Sequence, residues 1–456
     1  MPLPGKGLAF QAGMSARAAG LAFAVLLSSS ASLPVPTAVP DIFSSTDPLA
    51  ITLEAPLREL FAKDEDVNFS VPGVVSYKDP SSGAEAKREA QVSVRGHTSR
   101  RETECTFPKL KLKFKEGDVL KIGTHCGEAS DEALSPKYGR LANEKSPHRE
   151  ALVYRLLHAA GVPALRARPA VVTYVENGQP TLTRKALLVE DDDEAKKRVG
   201  GTSEIPMEAF GSVTTRGAGA DAGRLAFGEA MVGNFDWCLK FAPDDIYRCN
   251  ERKPLWNVLA FDRGDGKAAL LGKDFDLAGM VAGRHGWFKK IFNPAFVPSR
   301  SEIEIEVLSQ VQRTRSLFPR AEVDALRQSF IERKPAIYEA LQKAEVDPKG
   351  REIARAYLDA FFAAIADDRS YYRPVVAKSD VRVYRDAGGT TEACRPGDLV
   401  RPGTPVNELQ RSGTMSQVVI LDALWRWTAE ERCETVQTSP VWVPTDAISP
   451  EYPAKI

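Results

Sequence analysis

The sequence predicts an α+β protein in three consecutive parts: a mixed core over residues 50–300, a helical extension over 301–370 and a small all-β unit over 371–456. Three observations carry this expectation. Ahead of residue 190, short stretches alternate apolar and polar residues and are separated by turn residues such as Asp79-Pro80-Ser81-Ser82-Gly83 and Asn177-Gly178, which is the pattern of strands and hairpins. Between residues 301 and 366 the apolar spacing becomes helical. From Tyr371 onward Val, Pro, Thr and Gly dominate and short strands recur, the texture of a small barrel or sandwich.

Bulk properties narrow the function classes. With 61 basic and 61 acidic residues the net charge is zero, so the chain lacks the electrostatic footprint of a general nucleic-acid binder. Residues 1–33 read as an export signal: Lys6 and Arg17 are followed by the apolar stretch Ala18 to Leu27 and then by small residues from Ser28 to Ser32. That apolar stretch is too short for a permanent anchor. Residues 34–49, rich in Pro, Ser and Thr, read as a linker. The expectation is an exported protein of the periplasm or extracellular space, with no transmembrane segment once the signal is removed. Six cysteines contain no CxxC, which argues against zinc or thioredoxin-like chemistry. Of the fifteen possible connectivities the sequential one is expected, pairing Cys105 with Cys126, Cys238 with Cys249 and Cys394 with Cys433, because each pair closes a short loop.

The elements follow in order. Val71 to Tyr77 and Ala90 to Val94 predict a hairpin. The second strand runs into Arg95-Gly96-His97-Thr98-Ser99-Arg100-Arg101, a turn whose amides and guanidinium groups suit phosphate oxygens. In Lys109 to Phe114, Leu110, Leu112 and Phe114 face one way and Lys109, Lys111 and Lys113 the other. Ser146-Pro147 predicts a helix start with Ser146 as N-cap and Glu150 in the first turn. Gly161 ends that helix. Strands are expected over Pro169 to Val175 and Ala186 to Val189. The acidic run Glu190 to Asp193 then leads a helix over Glu194 to Val199. Three helices are expected over Ser301 to Leu317, Ala321 to Ala344 and Lys349 to Ala366. In the last part, strands are expected at Val381 to Tyr384, Val418 to Leu421, Leu424 to Thr428 and Val441 to Val443.

The residues with chemistry concentrate between Met231 and Met280. Asp236, Asn257, Asp274 and Asp276 stand among apolar residues there. A buried acid requires a cation, a metal or a proton. Such oxygen donors suit Mg²⁺ when a phosphate completes its shell. In Lys273-Asp274-Phe275-Asp276-Leu277, alternation places both acids on one face of an extended segment. Turn aspartates, or carboxylates paired with arginine, are the ordinary alternative.

Taken together, these stretches resemble the spore-coat CotH family of atypical kinases. Val94-Arg95-Gly96-His97-Thr98-Ser99-Arg100 is similar to its RGNS-type loop, and Phe107-Pro108-Lys109 with the following basic strand is similar to its next element. The stretch from His148 to Leu156 resembles the helix that follows, and Leu188-Val189-Glu190-Asp191 the strand ending in Glu. Gly233-Asn234-Phe235-Asp236-Trp237 and Lys273-Asp274-Phe275-Asp276 resemble its two aspartate motifs. The C-terminal part, through Val441-Trp442-Val443-Pro444, is similar to bacterial SH3-type modules.

The resemblance implies a kinase-like core that binds ATP and Mg²⁺ or Mn²⁺ and transfers phosphoryl to a hydroxyl of a protein or envelope component. It implies Asp236 as catalytic carboxylate, Asn257 and Asp274 as metal ligands with Asp276 as helper, and Arg95 with Lys111 or Lys113 at the phosphates. It implies Glu150 as partner of one of those lysines and Glu190 near the nucleotide's adenine or ribose. Departures from the family pattern are His97 in the loop, Trp256 in place of a His before Asn257, and the insertion between Asp236 and Asn257. A Cys238–Cys249 disulfide would fold that insertion back. The competing expectations are a catalytically silent envelope scaffold and a metal-dependent phosphodiesterase. The latter usually needs histidine ligands, and of the five histidines only His285 lies near the acids.

Overall fold

The computed structural model describes residues 41–456 apart from 81, 97–99, 101–104, 106, 127–144, 207–218, 240–254, 283–299, 319, 373, 379–380, 394–399, 401–403, 405, 421–439 and 450–456. The expected export signal and the start of the linker therefore lie outside the described residues, as do the strand holding Trp425 and Trp427 and the pair Cys394 and Cys433. Among the described residues no helix is long and apolar enough to cross a membrane.

The alternating stretches close into a seven-stranded barrel. Its strands are Leu49–Glu54 (β1), Ser70–Lys78 (β2), Glu85–Val94 (β3), Leu110–Phe114 (β4), Val119–Gly123 (β5), Ala167–Glu176 (β6) and Gln179–Val189 (β7). They are ordered β1-β2-β3-β4-β5-β7-β6 around the wall. Antiparallel pairs form six of the joints, and the parallel pairing of β1 with β6 closes the ring. Alternation sends Leu53, Val75, Val92, Leu112, Ile122, Val172 and Leu188 inward into one apolar cluster. The short helix Leu57–Phe61 (α1) packs against it through Leu57 and Leu60.

A second cluster lies outside the barrel. The helix Ser146–Ala159 (α2) contributes Leu152, Leu156 and Leu157 to it. Ser146 is already helical and Lys145 holds the cap position without a side-chain cap bond, so the expected Ser146 cap is absent and Glu150 falls beyond the first turn. Gly161 ends the helix as expected, with φ at +72°. Asp192–Arg198 (α3) follows β7, with Asp191 as its N-cap. Its first turn is acidic and its last turn basic, which suits the helix dipole.

The same cluster takes in Gly219–Val232 (α4), the hairpin of Val258–Asp262 (β8) and Ala268–Gly272 (β9), and the helices Arg300–Leu317 (α5), Arg320–Lys343 (α6) and Pro348–Ala366 (α7). Phe227 of α4, Phe330 of α6 and Phe361 of α7 meet ring to ring. The helices beyond residue 300 thus complete the core of the part before them and do not form an appendage.

The last part carries its own apolar cluster, including Val376, Val381, Val400, Val418 and Val443. Val406–Ser412 (β10), Met415–Ile420 (β11) and Val441–Pro444 (β12) form an antiparallel sheet. The strand expected at Val381 to Tyr384 is reduced to isolated bridges, Val381 with Val400 and Tyr384 with Trp442 and Glu392. The whole is α+β, as the sequence predicts.

Candidate functional site

The site begins where the β8–β9 hairpin opens. Val258 pairs with Gly272, and just beyond them the Lys273 amide donates to the Asn257 carbonyl at 3.0 Å. Asn257 and Asp274 both adopt left-handed backbone, with φ of +54° and +60°. Asn and Asp tolerate that region better than other residues with a Cβ. The turn at Asp274 is tied to α2: the Asp274 amide donates to the Tyr154 hydroxyl at 3.0 Å and the Phe275 amide to Glu150 Oε1 at 3.2 Å. Phe275 is fully buried, edge-on to Tyr154 with ring centroids 4.9 Å apart. Burying that ring leaves the acids on either side of it at the surface of the core.

Both acids reach one cation, Lys109. Its Nζ donates to Asp274 Oδ1 at 2.9 Å and to Asp276 Oδ2 at 3.0 Å. The sequence expectation of an extended segment is corrected, since the left-handed turn at Asp274 is what brings the pair together. Lys109 follows Pro108 and precedes β4, so it escapes the strand's alternation. Its segment is held by the Arg95 amide donating to the Lys109 carbonyl at 2.8 Å, by the Phe107 amide donating to the Cys126 carbonyl at 2.8 Å, and by the Cys105–Cys126 disulfide.

Burial opposes the Lys109 charge, but Asp274, Asp276 and Glu150 outweigh it and hold the ammonium above its ordinary range. Burial likewise pushes the Glu150 carboxyl up to about 8 against the pull of Lys109. Burial also raises Asp276, whereas Lys109 overcomes burial at Asp274 and holds that carboxyl below its usual range. The difference follows access only in part: the Asp274 side chain is 44 % exposed and that of Asp276 25 %. The Arg95 charge also favours the ionised form of both aspartates.

Asp236 arrives by a different route. Gly233, with φ at +65°, turns the chain out of α4, and a Cβ there would stand 2.1 Å from the Tyr357 ring. The two-residue strands Cys238–Leu239 and Leu255–Trp256 then pair and close the insertion, with Cys238 opposite Trp256. Cys238 is disulfide-bonded and its partner lies outside the described residues. Asn257 Nδ2 donates to Asp236 Oδ2 at 3.1 Å and to the Asp236 carbonyl at 2.5 Å, and Trp256 Nε1 donates to Asp236 Oδ1 at 3.1 Å. Asp236, Asn257, Asp274, Asp276, Glu150 and Arg95 therefore belong to one contiguous constellation, joined through the Asn257–Lys273 backbone bond.

Three expected residues lie apart. Lys111 and Lys113 project from the outer side of β4, because Leu110, Leu112 and Phe114 take the inner side. Lys113 lines a groove of about 940 Å³ with Glu54, Glu89 and Lys115. Glu190 is buried, and each of its oxygens accepts two hydrogen bonds: Arg166 Nε and Arg198 Nε on Oε1, the Arg166 amide and Arg198 Nη2 on Oε2. A carboxylate with four donors is saturated, and Glu190 sits in an ion-pair cluster with Arg166 and Arg198. Two residues escaped the sequence reading. By alternation alone Lys109 falls with the outward lysines, although Pro108 before it marks a break in the strand. Glu229, the one carboxylate in the apolar run from Ala226 to Phe235, is fully buried and accepts a hydrogen bond from Asn234.

The oxygen donors of Asn257, Asp274 and Asp276 match a hard cation in chemistry. Among the described residues no group of three His, Cys, Asp or Glu side chains converges as a metal site, and the Lys109 ammonium stands between the two aspartates. No family model matches the chain, and no curated protein matches it significantly.

Proposed function

We propose that this protein is an exported kinase-like phosphotransferase of the CotH type, with its C-terminal β unit acting as an SH3-like module. The observation that carries the reading is the cluster in which Lys109 bridges Asp274 and Asp276 with Glu150 behind it, beside a hydrogen-bonded Asp236–Asn257 pair. Phosphoryl transfer needs positioned charge more than covalent chemistry. In this reading Lys109 and Arg95 hold phosphate oxygens of ATP. Asn257 and Asp274, helped by Asp276, would hold Mg²⁺ or Mn²⁺, which neutralises phosphate charge when bound. Asp236 accepts the proton of the attacking hydroxyl, and its two hydrogen bonds aim the carboxylate. The acceptor is a hydroxyl of a protein or of an envelope component. The test is phosphate incorporation from labelled ATP with either metal, comparing the parent with Asp236→Ala and Asp274→Ala. A loss of about 100-fold or more is expected for each, in line with removal of a positioned base or charge. Equal incorporation by all three proteins removes the reading.

One observation favours a second reading, a catalytically silent envelope scaffold. Both Asp236 oxygens and both aspartates of the second motif are already satisfied from within the chain. Calorimetry separates the two: a scaffold gives no metal-dependent heat on mixing with ATP.

A further inference from the structure

The buried carboxyl group of Glu229 is hydrogen-bonded to the loop that carries Asp236. Glu229 and Asn234 are each fully buried. Asn234 folds back on the helix end: its amide donates to the Glu229 carbonyl at 2.9 Å, and its Nδ2 donates to Glu229 Oε2 at 2.9 Å. The other end of the same side chain, Asn234 Oδ1, accepts the Asp236 amide at 3.0 Å. Glu229 also lies near the end of β9, where a Cβ added at Gly272 would stand 3.5 Å from Glu229 Oε1; the tight approaches there are to Phe275 at 2.9 Å and Leu225 at 3.1 Å. Two residues later the chain reaches Asp274.

From this geometry we infer that Glu229 is a positioning residue of the site: through Asn234 it fixes the backbone of Asp236. The inference rests on the proposed phosphotransferase reading for its effect on rate, but its structural content does not. Glu229 Oε1 has no hydrogen-bond partner among the described residues. A buried carboxylate with an orphan oxygen is costly, so the group is held as the neutral acid. Burial accordingly pushes its carboxyl well above the usual range, with Asn234 opposing and the nearby Asp236 charge adding to the rise. A neutral acid presents one acceptor oxygen to Asn234, and a glutamine amide does the same in nearly the same volume. Alanine removes the acceptor and leaves a buried Asn234 amide unpaired.

Trp256 supplies a readout independent of turnover, because its indole N–H rests on Asp236 Oδ1. The experiment uses the full chain labelled with ¹⁵N-tryptophan, with the Trp256 indole signal assigned by Trp256→Phe. Parent, Glu229→Gln, Glu229→Ala and Asn234→Ala are compared by that signal and by phosphate incorporation from ATP. In Glu229→Gln the indole resonance should stay in place and the transfer rate should remain within about threefold of the parent. In Glu229→Ala and Asn234→Ala the resonance should move while the other indole signals hold, and kcat should fall about tenfold or more with KM for ATP little changed. Asn234→Ala tests the link to Asp236 directly, and Glu229→Gln keeps the role of Glu229 open to refutation if Glu229→Ala does not fold. An unmoved Trp256 resonance in the alanine variants overturns the inference, as does a glutamine variant that behaves like alanine. If the parent transfers no phosphate, the phosphotransferase reading falls, and the resonance comparison still decides the positioning role.

Discussion

His125 offers the sharpest stability test in the molecule. It is 1 % exposed, its ring lies 4.7 Å from that of Phe107, and neither ring nitrogen has a hydrogen-bond partner among the described residues. Burial, helped by the nearby Arg184 charge, lowers its pKa from 6.5 to about 3. The folded state thus holds a neutral imidazole where the unfolded chain binds a proton below 6.5. Because the folded-state pKa is the lower one, the associated stability is complete at high pH and falls as the pH drops from 6.5 toward 3. At pH 5 the unfolded chain is favoured through this one group by about 1.5 log units, or roughly 2 kcal/mol. His125→Phe keeps a ring against Phe107 and removes the titration. It also removes two unsatisfied nitrogens, worth about 1–3 kcal/mol at any pH. Urea unfolding of parent and variant at pH 8 and pH 5 should show the variant more stable at both, with an advantage about 2 kcal/mol larger at pH 5. Parallel pH dependence in the two proteins would refute the assignment of a buried, neutral and unpartnered His125.

Three further outcomes follow from the site. Lys109→Met leaves Asp274, Asp276 and Glu150 without their cation and should cost about 3 kcal/mol, tempered by the partial exposure of Asp274, and added Mg²⁺ should raise its melting temperature more than the parent's. Glu229→Gln should gain on the parent as pH rises above 4.5 in thermal melts, because an acid whose folded-state pKa is raised withdraws stability in that direction; a constant gap between the two would contradict a neutral Glu229. Gly233→Ala combines a left-handed φ with a methyl 2.1 Å from the Tyr357 ring, and should lower unfolding free energy by about 2–4 kcal/mol in denaturant titration.

Much of the fold was legible because it rests on period-two and helical spacing alone. Val92 and Leu112 announce the barrel's inner wall through their neighbours' polarity, and the helices after residue 300 lie within a residue or so of their expected bounds. Closure of the barrel was not legible, since the parallel β1–β6 joint links residues over 100 apart in the chain. In the site, Asp236, Asn257, Asp274 and Asp276 stood out as polar residues in apolar runs, whereas Lys109 was hidden by the regular alternation that follows it. The ion-pair cluster of Glu190 was not legible: its partners Arg166 and Arg198 lie 24 and 8 residues away, on β6's approach and on α3, so their convergence is a product of the fold.

In the proposed phosphotransferase, the position of Lys109 limits where a metal would bind. An ammonium between two carboxylates already supplies the charge that a divalent ion would bring, and a second cation on the same inner oxygens would meet its repulsion at short range. Asp274 is the more exposed of the two acids, and Asn257 is joined to the residue before it by the Lys273–Asn257 backbone bond across the hairpin end. In the proposed phosphotransferase a metal would therefore enter on the Asp274–Asn257 side without displacing Lys109, or it would displace Lys109 from both aspartates. The first route leaves the Lys109 bridge as a permanent strut between barrel and hairpin. The second makes metal binding and loosening of the barrel segment the same event, so that Mg²⁺ would protect β8–β9 amides from hydrogen exchange while exposing those around Lys109.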